Sequence, residues 1–432
     1  MGNGIDVSAL KISPEGLLRG KPRHQPAILL ACAGGLTIAA AFAGMILAAP
    51  SAAPGGKFHV PEPGLYVLLG LMSLALALSA AAITRPTPPD GAMLPPPGGT
   101  RRLWLIFSAL ILIHCSLALL TLKFGVAAHI DTYTFQRDAA KSLLHGVNPY
   151  GTTQADIYDP PHTAIYYGPG MVVGGRVQVG FPYTPLTLLW TLPGYACGDV
   201  RLSSLFAVIA AAWLLFAIRP DARGLWIVSA LLFSPLTLSV ERLCWTEPLV
   251  LMTLSATVYA AVKKRGWLPL ALGLFLAAKQ YDVLALPLLG YLIFPFRWKA
   301  YWRLAGQSLA VAAATAVPFA FWNFQGLWHD LVLFQLAQPF REDSLSFAVA
   351  FPSMMKIGPA LVLIFIAWLI RRAGHGPVAA FAAAYGSALL LFVSTSKQAF
   401  ANYYFLIGHA FLLAAAAMLR PGIDASRAEH GS

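Results

Sequence analysis

AILLACAGGLTIAAAFAGMILAA, residues 27–49, contains no Asp, Glu, Lys or Arg. At about 1.5 Å per helical residue it is long enough to cross roughly 30 Å of hydrocarbon. GLYVLLGLMSLALALSAAAIT (64–84) repeats the pattern, and LWLIFSALILIHCSLALLTL (103–122) does so apart from His114. Composition agrees: 58% of the 432 residues are hydrophobic and 11% charged, with a mean hydropathy of +0.66. Soluble domains carry about a quarter charged residues. The expected fold is therefore all-α, a polytopic bundle of about 11–13 spans, because a lipid-embedded backbone must satisfy its own hydrogen bonds.

Downstream, the apolar runs are shorter and broken by single charges and prolines. They predict helices near 183–197, 202–218, 224–240, 248–262, 267–278, 282–295, 304–322, 357–370, 378–394 and 401–419. Interruptions at Lys279 and Asp282 suit a bundle around a cavity, since irregular backbone at membrane depth needs protein or water partners.

The net charge of +12 gathers in short basic clusters: Lys11 to Arg23, Arg101 and Arg102, Lys263 to Arg265, Arg297 to Arg303, and Arg371 with Arg372. This is the bias that marks cytoplasmic loops, so no nucleic-acid partner is needed to explain it. It puts the N-terminus inside and segment 124–182 outside. A strict count then misplaces Lys263–Arg265, so one later run, 183–197 above all, is expected to be split or re-entrant. The expected parts are a cytoplasmic tail (1–26), an accessory two-helix hairpin (27–84), a Pro/Gly-rich linker RPTPPDGAMLPPPGGTRR (85–102), a core (103–419) and a polar tail (420–432). Residues 1–26 lack a small-residue cleavage site, so the first span reads as a retained anchor. Cys32, Cys115, Cys197 and Cys244 show no metal-ligand or redox spacing, although Cys197 and Cys244 meet if both lie outside.

The chemistry concentrates in the long loop. In AHIDTYTFQRDAAKSLLHGVNPY (128–150), Asp131, Phe135, Asp138 and Ser142 share a helical face, Gly146 ends the helix, and Asn148–Tyr150 make the exit turn. Asp131 reads either as that helix's N-cap or as a base at the membrane surface. DIYDPPHTAIYYGPG and FPYTP bring Tyr158, Tyr166, Tyr167 and Tyr183 among prolines and glycines. They read as an interfacial aromatic belt or as a platform for a sugar ring. Between apolar runs stand Glu241, Arg242 and Glu247, Lys279 and Asp282, Arg341, Glu342 and Asp343, and Lys397. Ionisable groups near hydrocarbon are functional candidates, unless Lys279 merely pairs with Asp282 and Arg242 with Glu247. Arg and Lys converging on a wet cavity suit a phosphate.

Asp131, Leu143, Leu144, Gly146 and Asn148–Pro149–Tyr150, followed by Tyr183–Leu186, resemble the bacterial polyprenyl-phosphate-mannose-dependent mannosyltransferases of the GT-C superfamily. The likeness extends more loosely through SPLTLSVERLCWTEPL, LPLALGLFLAAKQYDVLALPLL and KQAFANYY. The resemblance implies an inverting glycosyltransferase of the bacterial plasma membrane with its active site facing outside. Its donor would be a polyprenyl-phosphate-linked sugar, mannose or another hexose or pentose, and its acceptor a lipid-linked or cell-envelope glycan. No cofactor or metal is expected. Asp131 matches the family's base, with Asp138 as the second candidate and His329 as a proton or hydrogen-bond partner. Arg242, Lys279, Arg341 and Lys397 are candidates for the donor phosphate. Tyr150, Tyr166, Tyr167, Tyr183, Glu247 and Gln280 are candidates for the substrate. The two spans before the core depart from the family pattern. The rival class is a transporter or flippase of a lipid-linked or anionic solute, which interrupted helices and intramembrane charges also suit. A noncatalytic assembly subunit or scaffold is a third reading, one in which Asp131→Ala does no harm.

Overall fold

The computed structural model describes residues 25–47, 62–84, 99–125, 128–293, 295–372 and 380–418. The basic N-terminal tail, most of the 85–102 linker and the polar C-terminal tail lie outside the described residues. Helices dominate: α1 (Gln25–Leu47), α2 (Glu62–Thr84), α3 (Gly99–Phe124), α4 (Asp131–Leu144), α5 (Pro160–Tyr166), α6 (Pro185–Ala196), α7 (Arg201–Ile218), α8 (Ala222–Leu232), α9 (Pro235–Arg242), α10 (Glu247–Lys263) and α11 (Leu268–Ala278). A 3-10 segment, Gln280–Leu292, leads on to α12 (Trp298–Trp328), a π-turn (His329–Leu333), α13 (Phe334–Ala337), α14 (Phe347–Ala350), α15 (Met354–Arg372), α16 (Ala380–Ser394) and α17 (Ala401–Met418).

Six of these helical stretches are long and apolar enough to cross a membrane, or seven if the bent pair α8–α9 is one span. The chain is thus a multi-pass membrane protein. The span count among the described residues is lower than the expected 11–13 because several apolar helices are short: α6 has 12 residues and α11 has 11, about 18 Å or less. The run read as one helix over 224–240 breaks, with a bend of 48° between α8 and α9. Pro235 explains the break, since it pushes Ser234 to an extended ψ of 128°. The run expected at 282–295 is 3-10 in character, with Pro287 inside it. The linker's last residues, Gly99–Arg102, already belong to α3.

α17 is the hub. Within its apolar window 89% is buried, against 17% for α3, which faces outward. α1 lies along α17 at two glycines: a Cβ on Gly34 would sit 2.8 Å from the Gly408 carbonyl oxygen, and one on Gly408 would sit 2.5 Å from Ile38. Small residues let membrane helices approach this closely, which suits them to an interface without a hydrophobic driving force.

Residues 128–184 form a cap with its own apolar centre, in which Phe135, Ala139, Tyr150, Tyr167, Val179 and Phe181 meet Phe319, Leu327 and Phe334. α4 ends as its sequence predicts: Gly146 takes a φ of +73°, and the amides of Gly146 and Val147 donate back to Leu143 and Ser142 at 3.0 and 2.9 Å. Three two-residue strands, β1 (Gln154–Ala155), β2 (Val172–Val173) and β3 (Arg176–Val177), pair antiparallel in the order β1-β3-β2. Gly174 and Gly175, both at positive φ, turn β2 into β3.

Candidate functional site

Two hollows stand out. One, of about 520 Å³, is lined by Phe206, Trp213, Met252 and other side chains with no titratable group. The other, of about 790 Å³, lies between the cap and the bundle and collects Asp131, Glu247, Lys279, Arg341, Asp343 and Lys397. Charged groups gathered in one cavity mark the second as the candidate site.

Asp131 begins α4 but does not cap it: Ile130 is the N-cap and makes no side-chain bond to the helix. The carboxylate instead turns to the cavity, where the Tyr167 hydroxyl donates to its Oδ2 at 2.9 Å. The Asp131 amide donates to the Tyr158 hydroxyl at 3.1 Å. Burial raises the pKa of Asp131 above the usual carboxylate value, and the Tyr167 hydrogen bond and the Arg341 charge oppose that rise. Burial and the Asp131 charge hold the hydroxyls of Tyr158 and Tyr167 far above the usual tyrosine pKa, so both remain donors.

The turn between α9 and α10 delivers Glu247. Cys244 sits there at φ +57°, a left-handed conformation that side chains with a Cβ seldom adopt. α4 pins this turn: Thr132 donates to the Leu243 carbonyl at 3.0 Å, and the Gln136 amide donates to the Cys244 carbonyl. Glu247 thereby opens α10, where a carboxylate suits the positive end of the helix dipole.

Lys279 occupies the extended residue after α11. Thr184 and Thr187 fix this helix end by donating to the Ala278 carbonyl at 2.9 and 2.8 Å. The Lys279 ammonium pairs with Glu247 and lies 5.2–5.8 Å from the ring centroids of Tyr183, Tyr281 and Tyr403. Its partner is therefore Glu247 rather than Asp282. Asp282 instead accepts from the Tyr385 hydroxyl at 2.5 Å, and Glu241 is matched to His114 at 2.9 Å.

Arg341 forms a two-pronged pair with Asp343 at 2.8 and 2.6 Å and lies over the Tyr166 and Phe400 rings. Its backbone amide donates to the Lys397 carbonyl at 3.1 Å. The Lys397 ammonium donates to the carbonyls of Leu336 and Gln338 at 2.8 and 2.6 Å. Gln280 and Gln335 both donate to the Pro182 carbonyl, at 3.0 and 2.9 Å, tying the cap to the bundle.

Asp131, Tyr166, Tyr183, Glu247, Lys279, Gln280, Arg341 and Lys397 thus share one cavity. Tyr167 joins them through Asp131. The other candidates lie elsewhere. Asp138 pairs with Arg137 at 2.7 Å on the surface, because the buried face of α4 runs through Phe135, Gln136, Ala139 and Ala140. His329 contacts Asp330 at 2.9 Å. The Tyr150 hydroxyl donates to the Tyr183 carbonyl at 2.8 Å within the cap centre. Arg242 is outside the lining as well. Thr246, Asn402, Tyr403 and Gln398 line the cavity without having stood out in the sequence. For Tyr403 and Gln398 the signal was present in KQAFANYY, whose polar residues follow a run of apolar ones.

The cavity holds three carboxylates against two lysines and one arginine, so apart from His129 its formal charges cancel rather than forming a cationic bowl. Cys197 and Cys244, which the sequence allowed to meet, are both free thiols, the former exposed and the latter buried. Among the described residues, no cluster of three or more His, Cys, Asp or Glu side chains is placed to hold a metal ion. Comparison of the chain with protein-family models, with curated proteins and with solved structures finds no match in any of the three.

Proposed function

We propose that the chain is a membrane glycosyltransferase of GT-C type, inverting, with Asp131 as general base. It would move a sugar from a polyprenyl-phosphate donor to a lipid-linked or envelope glycan on the outer face of a bacterial plasma membrane. The observation that carries this reading is a half-buried carboxylate, oriented by a tyrosine hydroxyl, at the wall of a cavity that also holds Arg341 and Lys397.

The acceptor hydroxyl oxygen bonds to the anomeric carbon from the face opposite the phosphate. The bond from that carbon to the phosphate oxygen breaks, the hydroxyl proton passes to Asp131, and the polyprenyl phosphate leaves with the electron pair. A carboxylate within hydrogen-bond reach makes a weak nucleophile competent, which is worth roughly 10²–10⁴ in rate. Arg341 and Lys397 are the groups available to offset the charge that grows on the phosphate. The mixed environment suits an amphiphilic donor: apolar helices surround the site on one side and a polar cap covers the other.

The test is transfer of radiolabelled sugar from a purified polyprenyl-phosphate donor into lipid, by the full-length protein and by Asp131→Asn, in EDTA. Transfer by the wild type and its loss in the variant are expected. Undiminished transfer by Asp131→Asn removes that residue from the chemistry. Absence of transfer from any donor, together with movement of the lipid across vesicles, establishes a flippase instead.

A further inference from the structure

Three buried polar atoms in the lining of the cavity have no hydrogen-bond partner: Thr246 Oγ1, Glu247 Oε2 and Asn402 Oδ1. The residues are 5%, 0% and 6% exposed. All three residues line the same cavity as the Glu247–Lys279 pair, and Tyr403, next to Asn402 in α17, has its ring centroid 5.2 Å from the Lys279 ammonium. Buried polar atoms are nearly always satisfied; of ten such side-chain atoms without a partner among the described residues, these three belong to residues that line the cavity, where a ligand can complete them.

Their chemistry says which part of a ligand. A carboxylate oxygen and an amide oxygen only accept, and a threonine hydroxyl can do either. We infer that this wall is a subsite that reads the hydroxyls of the sugar ring, and that the lipid phosphate sits away from Lys279, beside Arg341 and Lys397. The inference rests on the transferase reading above and deepens it. A phosphate brings acceptors, which the free oxygens of Glu247 and Asn402 would repel. A sugar brings a set of O–H donors that would complete them. Lys279 is already committed to Glu247, and the neighbouring Tyr281 hydroxyl donates to the same carboxylate at 3.3 Å. The three tyrosine rings around the ammonium hold this pair in place and offer apolar faces to ring C–H groups.

Removing Glu247 alone would strand a buried ammonium and threaten the fold. Asn402→Ala and Thr246→Val are better probes, because they delete atoms that hold nothing within the protein and should leave Tm unchanged. Binding to the purified full-length protein can be followed through the fluorescence of Trp245, which lines the same cavity. The probes are a short isoprenyl phosphate, either bare or carrying mannose, glucose or arabinose. We expect the sugar-bearing probes to bind more tightly than the bare one, and each variant to lose about tenfold in affinity for at least one of them with bare-phosphate affinity unchanged. Equal losses for bare and sugar-bearing probes, or no loss for any, would overturn the subsite. Unchanged bare-phosphate binding in Lys397→Met also overturns it. Sugar-selective binding without transfer leaves the subsite standing and sinks the transferase reading. Transfer with no effect of either variant on sugar-bearing probes does the reverse.

Discussion

At Asp131, partial burial raises the proton affinity of the carboxylate, while the Tyr167 hydroxyl, the backbone amides at the start of α4 and the Arg341 charge act in the opposite direction. Because burial raises the native pKa above that of the unfolded chain, the native state binds the proton more tightly. Its stability contribution therefore falls as pH rises from the unfolded value through the native one. Asp131→Asn, neutral and of the same shape, should melt at no lower temperature than the wild type at pH 7, while sugar transfer drops by roughly 10²–10⁴. Calorimetry beside the radiolabel assay checks both. Tyr167→Phe removes the hydrogen bond that lowers the Asp131 pKa, so the acid limb of the pH profile of kcat/KM should move to higher pH. A limb that stays in place while activity falls would limit Tyr167 to packing. The helical pattern after Asp131 was legible in the sequence, as was the stop at Gly146. The Tyr167 hydroxyl was not, because Tyr167 reaches Asp131 only once the cap folds back over 36 residues.

Among the elements, one carboxylate from the bundle gathers three backbone amides of the cap. Asp330 Oδ2 accepts from the amides of Gly151, Gly180 and Phe181 at 3.2, 3.1 and 3.0 Å. Gly180 can be no other residue, since a Cβ there would collide with the Pro149 carbonyl oxygen. Asp330→Ala leaves these donors without an acceptor, at a cost of about 1–3 kcal/mol for each buried one. Limited proteolysis should then cut within 149–181 far faster than in the wild type, and transfer should fall although Asp330 lies outside the cavity. An unchanged digestion pattern would mean that the apolar centre and the Gln280 and Gln335 bonds hold the cap without Asp330. Helix ends within the bundle were close to legible: α7 runs Arg201–Ile218 against an expected 202–218, and α10 runs Glu247–Lys263 against 248–262. Pairings across elements were not. Lys279 has Asp282 three residues away and Glu247 thirty-two residues away, and only packing decides for the distant partner.

For the whole molecule, α1 cannot be a detached addition. It meets α17 at Gly34 and Gly408, and Gly44 near its other end lines the cavity and packs on Leu345. A hairpin read as accessory in the sequence is thus joined to the hub and to the site, a connection that apolar composition alone cannot reveal because lipid-facing and helix-facing runs look alike. Gly408→Val should force α1 away from α17 and destabilise the purified protein by roughly 1–3 kcal/mol, as overpacking does. Thermal unfolding of the full-length chain checks this, with Gly35→Val as control, since a Cβ at Gly35 meets nothing within 4 Å.

The balanced charges of the cavity carry a kinetic consequence. In the proposed reaction, an arriving phosphodiester would add one negative charge to a cavity whose own formal charges, apart from His129, cancel. The phosphate would gain a second negative charge as Asp131 gained a proton, so the total would not change between bound substrate and bound product. No counter-ion has to enter or leave while the bond is exchanged. Ionic strength should therefore move KM, through screening of the approach of the lipid headgroup, and leave kcat flat. A kcat that falls steeply with salt would show that an outside ion takes part in the step.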